Sequence, residues 1–191
     1  LLALVRDRLL ASQFGAGVEL DVYYAAFKIP DLLYVLFAST LSVYVLIPFV
    51  AKYKEDQESK KGGMFLSQIF SLFLVAYIVL ALGMFFVAPY ITPHLFPGIV
   101  DQELLVSVIR ILLLQPLLLG ISSLFGVVTQ LNHRFILYAI SPLVYNLGII
   151  IGVISIYPLL GLPGIALGVV LGAFAHMLIQ WPLVRSSDLS F

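Results

Sequence analysis

The sequence contains no cysteine, which excludes disulfide bridges and thiolate metal sites. Charge is scarce as well: 10% of the 191 residues are Asp, Glu, Lys or Arg, against about 25% in a soluble domain. Neither sign dominates. Ten Lys and Arg balance ten Asp and Glu, and a net charge of zero excludes the basic footprint that nucleic-acid binding needs. Catalytic motifs are missing too. His94, His133 and His176 stand far apart with no zinc-binding spacing. There is no Gly-x-Ser-x-Gly elbow and no phosphate-binding loop. Gly15-Ala16-Gly17 lacks the third glycine and the preceding strand of a dinucleotide site. We therefore expect no enzyme, no bound metal and no cofactor.

What the sequence does have is apolar bulk. Hydrophobic residues make up 62% of the chain, and the mean hydropathy is +1.11. Such a chain cannot cover a water-facing surface, so its solvent is the lipid bilayer, and the fold class expected is an all-α polytopic membrane protein. A crossing needs about 20 apolar residues in helix. No Asp, Glu, Lys or Arg falls between Gly62 and Val100, between Ile111 and His133, or between Phe135 and Val184. The last stretch is about twice one crossing, and Pro158-Leu159-Leu160-Gly161-Leu162-Pro163-Gly164 breaks it midway, as a turn does. The pattern predicts a six-helix bundle in one domain, residues 1–191, with helices over 1–14, 22–51, 64–91, 104–131, 136–157 and 165–184. The chain opens at Leu1 inside an apolar segment with no initiator Met, and we expect it to be a piece of a longer polypeptide whose first helix is truncated.

Sidedness follows from the loops. Lys52, Lys54, Lys60, Lys61, Arg134 and Arg185 fall on one side of the six-span arrangement, and Glu19, Asp21, Asp101 and Glu103 on the other. Loop Lys and Arg stay cytoplasmic, so residues 52–63 are expected inside and residues 15–21 and 92–103 outside.

The remaining charges stand where they cost most. Arg6, Asp7 and Arg8 lie on the first helix, and Asp21, Tyr24, Lys28 and Asp31 recur at i, i+3, i+7 and i+10 on the second, which is one helical face. Ser42 continues that face. A charge at bilayer depth costs roughly 2.5–3.5 kcal/mol on insertion scales and commonly faces a bundle interior or a wet cavity. Lys28 and Asp31 either pair and snorkel or line such a cavity. Arg110 has a structural reading, pairing with Glu103 or snorkelling outward. Pro30, Pro116 and Pro142 sit within predicted helices, where proline kinks. Asn146, one turn after Pro142, is placed to bond a freed carbonyl. Gly164, Gly168 and Gly172 form GxxxGxxxG, and Gly148 and Gly152 a second GxxxG; such stripes let helices approach closely. His176, alone in an apolar helix, fits a helix-to-helix hydrogen bond.

These residues, taken in order, resemble a family. Val5-Arg6-Asp7, Phe14-Gly15-Ala16-Gly17, Asp21 and Ala26-Phe27-Lys28-Ile29-Pro30-Asp31-Leu32-Leu33 resemble the opening of the MurJ/MviN lipid II flippases. Leu36-Phe37-Ala38, Ile47-Pro48, Pro97-Gly98, Asn132 with Arg134-Phe135, Ser141-Pro142 with Asn146, and the tail with His176 and Gln180-Trp181-Pro182 continue the likeness over nearly the whole chain. The resemblance implies one N-terminal lobe of a two-lobed transporter of the multidrug/oligosaccharidyl-lipid/polysaccharide exporter superfamily, in the bacterial cytoplasmic membrane. Its expected partners are the bilayer, a C-terminal lobe of the same protein and a lipid-linked peptidoglycan precursor. The family moves undecaprenyl-pyrophosphate-linked precursor from the inner to the outer leaflet by alternating access. Arg6 matches a cavity arginine of the family and Asp21 a functional acidic residue; with Lys28 they are the expected substrate-binding residues. The sequence departs from the Gram-negative pattern at Tyr34, where those members carry arginine, and at Ser39-Thr40, where they carry Glu-Gly. The alternative is an exporter of the same superfamily for another lipid-linked glycan or a small molecule.

Overall fold

A computed structural model describes residues 2–15, 17–38, 43–55 and 59–187. Leu1, Ala16, Ser39, Thr40 and Ser42, which figured above, lie outside the described residues. Helices run as α1 (Leu2–Phe14), α2 (Val18–Ala38), α3 (Val43–Glu55), α4 (Ser59–Leu95), α5 (Gln102–Leu112), α6 (Leu114–Leu131), α7 (Phe135–Ile151), α8 (Tyr157–Leu160), α9 (Leu162–Leu178) and α10 (Trp181–Arg185). A π-helical segment, Gly152–Ile156, joins α7 to α8.

Four helical stretches are long and apolar enough to cross a membrane: Lys60–Leu95, Gln102–Leu131, Phe135–Leu160 and Leu162–Arg185. The expected span 22–51 falls on α2 and α3 together. α1 has 13 residues, which is about 20 Å of helix, and α2 carries Glu19, Asp21, Lys28 and Asp31. Length or charge thus sets these segments apart from the four.

Local chemistry explains the boundaries. Asp101 caps α5 by accepting from the Leu104 N–H at 2.9 Å, which satisfies one orphan donor of the first turn. Glu19 and Asp21 stand in the first turn of α2, where the helix dipole favours anions. α5 and α6 are one stretch interrupted at Leu113, three residues before Pro116. Proline has no N–H for the carbonyl four residues back, and the Tyr77 hydroxyl donates to the Leu113 carbonyl at the break. The 158–164 run makes a turn at Gly161, whose φ of 63° is strained for any residue with a Cβ.

α9 is the centre of the bundle, packed on α7, α6 and α5, while α2 packs on α5 and α6, and α4 on α5 and α3. The core repeats at helical spacing: Leu105, Val108, Ile109 and Leu112 from α5; Leu124, Val127 and Val128 from α6; Ile165, Val169 and Ala173 from α9. α4 is the outlier. Leu72, Val75, Val79, Leu82 and Phe86 are exposed along it, a row suited to lipid rather than water.

The α7–α9 seam is closed by glycine. A Cβ on Gly168 would stand 2.5 Å from the Gly152 Cα, one on Gly148 2.3 Å from the Gly172 Cα, and one on Gly164 2.7 Å from the Ile156 carbonyl oxygen. Backbone touches backbone there, so no side chain of any size fits. Behind the seam, α6 is tied to α9 by polar side chains. Ser122 Oγ lies 2.6 Å from His176 Nδ1, Gln180 Nε2 donates to Ser122 Oγ at 2.7 Å, and Thr129 Oγ1 donates to Gln180 Oε1 at 3.3 Å.

Candidate functional site: the Arg6 face

α2 has two unlike faces. Val22, Ala26, Ile29 and Leu33, at i, i+4, i+7 and i+11, are buried against the bundle with Pro30. Asp21, Tyr24, Lys28 and Asp31 stand on the other side and are all exposed. Hydrophobic periodicity alone fixes this orientation: burying the apolar stripe turns the polar one away from the packed core. Lys28 and Asp31 do not come within salt-bridge distance, though Lys28 lies close enough to act electrostatically on Asp31. Asp21 has no ion-pair partner among the described residues.

α1 packs on α7 and touches α2, which brings Arg6 beside Asn146. Arg6 Nη1 donates to Asn146 Oδ1 at 3.0 Å. Arg6 Nε donates to Asp7 Oδ1 at 2.9 Å, and Nη2 lies 2.8 Å from the same oxygen. Asn146 is itself fixed, because its Nδ2 donates to the Pro142 carbonyl at 2.8 Å. This is not the carbonyl that Pro142 frees, which belongs to Tyr138 one turn earlier; Asn146 instead adds a second donor to the proline's own carbonyl. The amide thereby holds its oxygen toward α1. Each Arg6 Nη carries a second N–H that these contacts leave unused, and the side chain is 25% exposed. Arg6, Asp7 and Asp31 all lie within electrostatic range of the Tyr23 hydroxyl, and Arg6, Asp31 and Tyr34 of the Tyr145 hydroxyl. Arg6 of α1 and Asp31 of the α2 stripe thus both stand near Tyr145 of α7.

Of the residues expected from sequence to bind substrate, Arg6 is held from two sides, while Asp21 and Lys28 are exposed on α2 without a bonded partner among the described residues. The link between Arg6 and Asn146 spans 140 positions, and no spacing rule announces it. The starts of α2 and α8 are joined by a second long-range bond that sequence gives no sign of, from the Tyr157 hydroxyl to Glu19 Oε2 at 2.7 Å. Arg110 has Phe85 as its partner rather than Glu103: its Nε donates to the Phe85 carbonyl at 3.1 Å, and its guanidinium lies 4.5 Å from the ring centroid.

What the Arg6 arrangement offers chemically is a fixed, partly exposed cation with spare N–H donors, suited to phosphate oxygens. Among the described residues no group of three or more His, Cys, Asp or Glu could hold a metal ion.

Comparison with known proteins places the chain in a family. The family model "Lipid II flippase MurJ" matches residues 10–191, a stretch that begins just after Arg6. A "Probable lipid II flippase MurJ" of Buchnera aphidicola subsp. Acyrthosiphon pisum is 32% identical over 96% of this chain and 37% of its own length. The "Lipid II flippase MurJ" of Burkholderia cenocepacia is 26% identical over 97% of this chain and 37% of its own length. The chain therefore spans about 37% of the length of these relatives. The fold is that of a solved structure titled "Lipid II flippase MurJ, inward closed conformation", with a TM-score of 0.75 and 23% identity over 97% of this chain and 39% of that one. With the family match running over most of its length, the chain belongs to the MurJ family of lipid II flippases.

Proposed function

We propose that the chain forms the N-terminal six-span lobe, residues 1–191, of a flippase that carries undecaprenyl-pyrophosphate-linked peptidoglycan precursor across the bacterial cytoplasmic membrane. The segments bearing Lys52, Lys60 and Arg134 lie inside, in keeping with the one-sided distribution of cations. A C-terminal lobe of the same protein completes the cavity, and transport proceeds by rocking one lobe against the other. No covalent chemistry is involved, so the protein is a transporter and not an enzyme.

The observation that carries this reading is Arg6, oriented by Asn146 and Asp7 with donors left over, beside the exposed polar stripe of α2. A pyrophosphate cannot cross about 30 Å of hydrocarbon unaided. A cationic cavity replaces part of its hydration with charge-assisted hydrogen bonds, which are roughly twice as strong as neutral ones. In this reading Asp7 balances Arg6 while the site is empty, and the incoming phosphate oxygens take the free Nη donors. Lys28 and Asp21 extend the polar path along α2. Pro30, Pro142 and the glycines Gly164, Gly168 and Gly172 shape the helices around it.

The test is complementation of a flippase-depleted bacterium by the full-length protein, with its membrane level measured in parallel. Arg6→Ala should abolish growth at unchanged protein level, since removing a charge at bilayer depth eases insertion. Arg6→Lys, which keeps the charge and loses the planar fork, should restore growth in part. Normal growth with Arg6→Ala would refute the assignment.

A further inference from the structure

Beside the Arg6 face lies a second recess, of about 270 Å³, between α2, α6, α7 and α9. Tyr34, Tyr138, Tyr145, Ser122, Ser123 and His176 line it. Six polar side chains, none with a fixed charge, thus meet in one recess of a chain that is 62% hydrophobic. Helix packing alone gives no reason for that density, because each buried polar group costs stability unless it is bonded.

Some of these groups are satisfied within the protein. Ser123 Oγ donates to the Leu119 carbonyl at 2.9 Å. Gln180 Nε2 donates to Ser122 Oγ at 2.7 Å, and Ser122 Oγ lies 2.6 Å from His176 Nδ1. The Tyr34 and Tyr145 hydroxyls have no hydrogen-bond partner among the described residues. The recess therefore offers two phenols with nothing to bind, on aromatic walls.

That combination selects an occupant. An ion would find no opposite charge. An acyl chain would leave the phenols unpaired in hydrocarbon, which is costly. A neutral polyol ring suits both features, because its C–H faces lie on tyrosine rings and its hydroxyls meet polar tips. The volume equals that of about nine water molecules in the liquid, the scale of one pyranose ring with substituents. Position adds a constraint. The recess reaches Pro142 and Tyr145, and the Pro142 carbonyl accepts from Asn146, which holds Arg6. A group bound there is next to whatever Arg6 holds. In a polyprenyl-pyrophosphate glycan, the first sugar is bonded directly to the pyrophosphate.

We infer that this tyrosine-lined recess is the subsite for the first sugar of the lipid-linked glycan, with Tyr34 and Tyr145 donating to its hydroxyl or amide oxygens. The inference rests on the reading of Arg6 as the pyrophosphate holder. It is tested on the purified full-length protein, by binding undecaprenyl pyrophosphate with and without one N-acetylhexosamine. The wild type should bind the glycosylated lipid more tightly, by about tenfold for two neutral hydrogen bonds. The double variant Tyr34→Phe/Tyr145→Phe keeps both rings and removes only the hydroxyls. It should lose that preference while holding the bare lipid as the wild type does, which also shows that it is folded. Equal binding of both lipids by the wild type, or an undiminished preference in the double variant, overturns the sugar subsite and leaves the Arg6 reading intact. Failure of the wild type to bind either lipid, or undiminished binding of the bare lipid by Arg6→Ala, removes the Arg6 reading and the subsite with it.

Discussion

The seam between α7 and α9 and the face shared by α1 and α2 treat α7 in opposite ways. On one side of α7, glycine backbone presses on glycine backbone with no room for a methyl group. On the other, the same helix presents Asn146 to a charged side chain that is still partly exposed. The seam is apolar, closed and specified by what is absent from it. The Arg6 face is polar, open and specified by what it holds out. A membrane bundle lacks a hydrophobic driving force between its helices and depends on close packing, so the seam supplies rigidity. The polar face is left with unspent donors, and a moving substrate requires such donors. On the proposed reading of Arg6, stability and function occupy opposite sides of one helix.

Substitutions can break that contrast at several strengths. The largest effect is expected from Gly168→Leu, whose Cβ would stand 2.5 Å from the Gly152 Cα. Overpacking of this kind costs about 3 kcal/mol or more, and the protein should be lost from membrane fractions before any transport assay is reached. Next comes Asn146→Ala. It removes a hydrogen bond to a charged group, worth about 1.5–3 kcal/mol, and releases Arg6 toward Asp7. Affinity for undecaprenyl pyrophosphate should fall roughly tenfold or more in an equilibrium binding measurement, with protein level little changed. If Asn146→Ala lowered the protein level as severely as Gly168→Leu, the two sides of α7 would not be separable in the way described. Tyr157→Phe removes only an exposed bond to Glu19, and thermal unfolding in detergent should report a loss below about 1 kcal/mol. The smallest effect is expected from Gly83→Ala, on a stretch of α4 where a Cβ meets nothing within 4 Å. Replacing glycine by alanine in an open helix gains about 0.5–1 kcal/mol, so the melting temperature should hold or rise slightly. One residue type, changed on two helices, would then give opposite signs.

How much of this could be read from the sequence differs by region in the same way. The apolar runs gave the long helices of residues 60–185, because lipid-facing helices need no pattern beyond length and hydrophobicity. The turn at Gly161 and the close glycine spacing were legible for the same reason: each is a local property of consecutive residues. The segmentation was less so. Pro116 announces a disturbed helix, but the break falls at Leu113, because a proline disrupts the turn before it. The Arg6 face was legible only in its parts. The period of α2 separates its polar stripe from its buried one, whereas the Arg6 to Asn146 bond and the Tyr157 to Glu19 bond join positions 140 and 138 apart. Their existence depends on which helices become neighbours, which no window of sequence contains.

The π-helical segment carries one more consequence. Between Gly152 and Ile156 the backbone bonds skip five residues instead of four, so the helix accommodates one residue more than a regular spiral over the same rise. Each residue of an α-helix advances the angular phase by about 100°. Every side chain after Ile156 is therefore displaced by about that angle from where the numbering of α7 would aim it. Tyr157 meets Phe14 at a centroid distance of 4.8 Å and reaches Glu19 on this shifted phase. The segment acts as a built-in insertion that points Tyr157 at α1 and α2 while Gly148 and Gly152, before it and at its start, stay in step with α9.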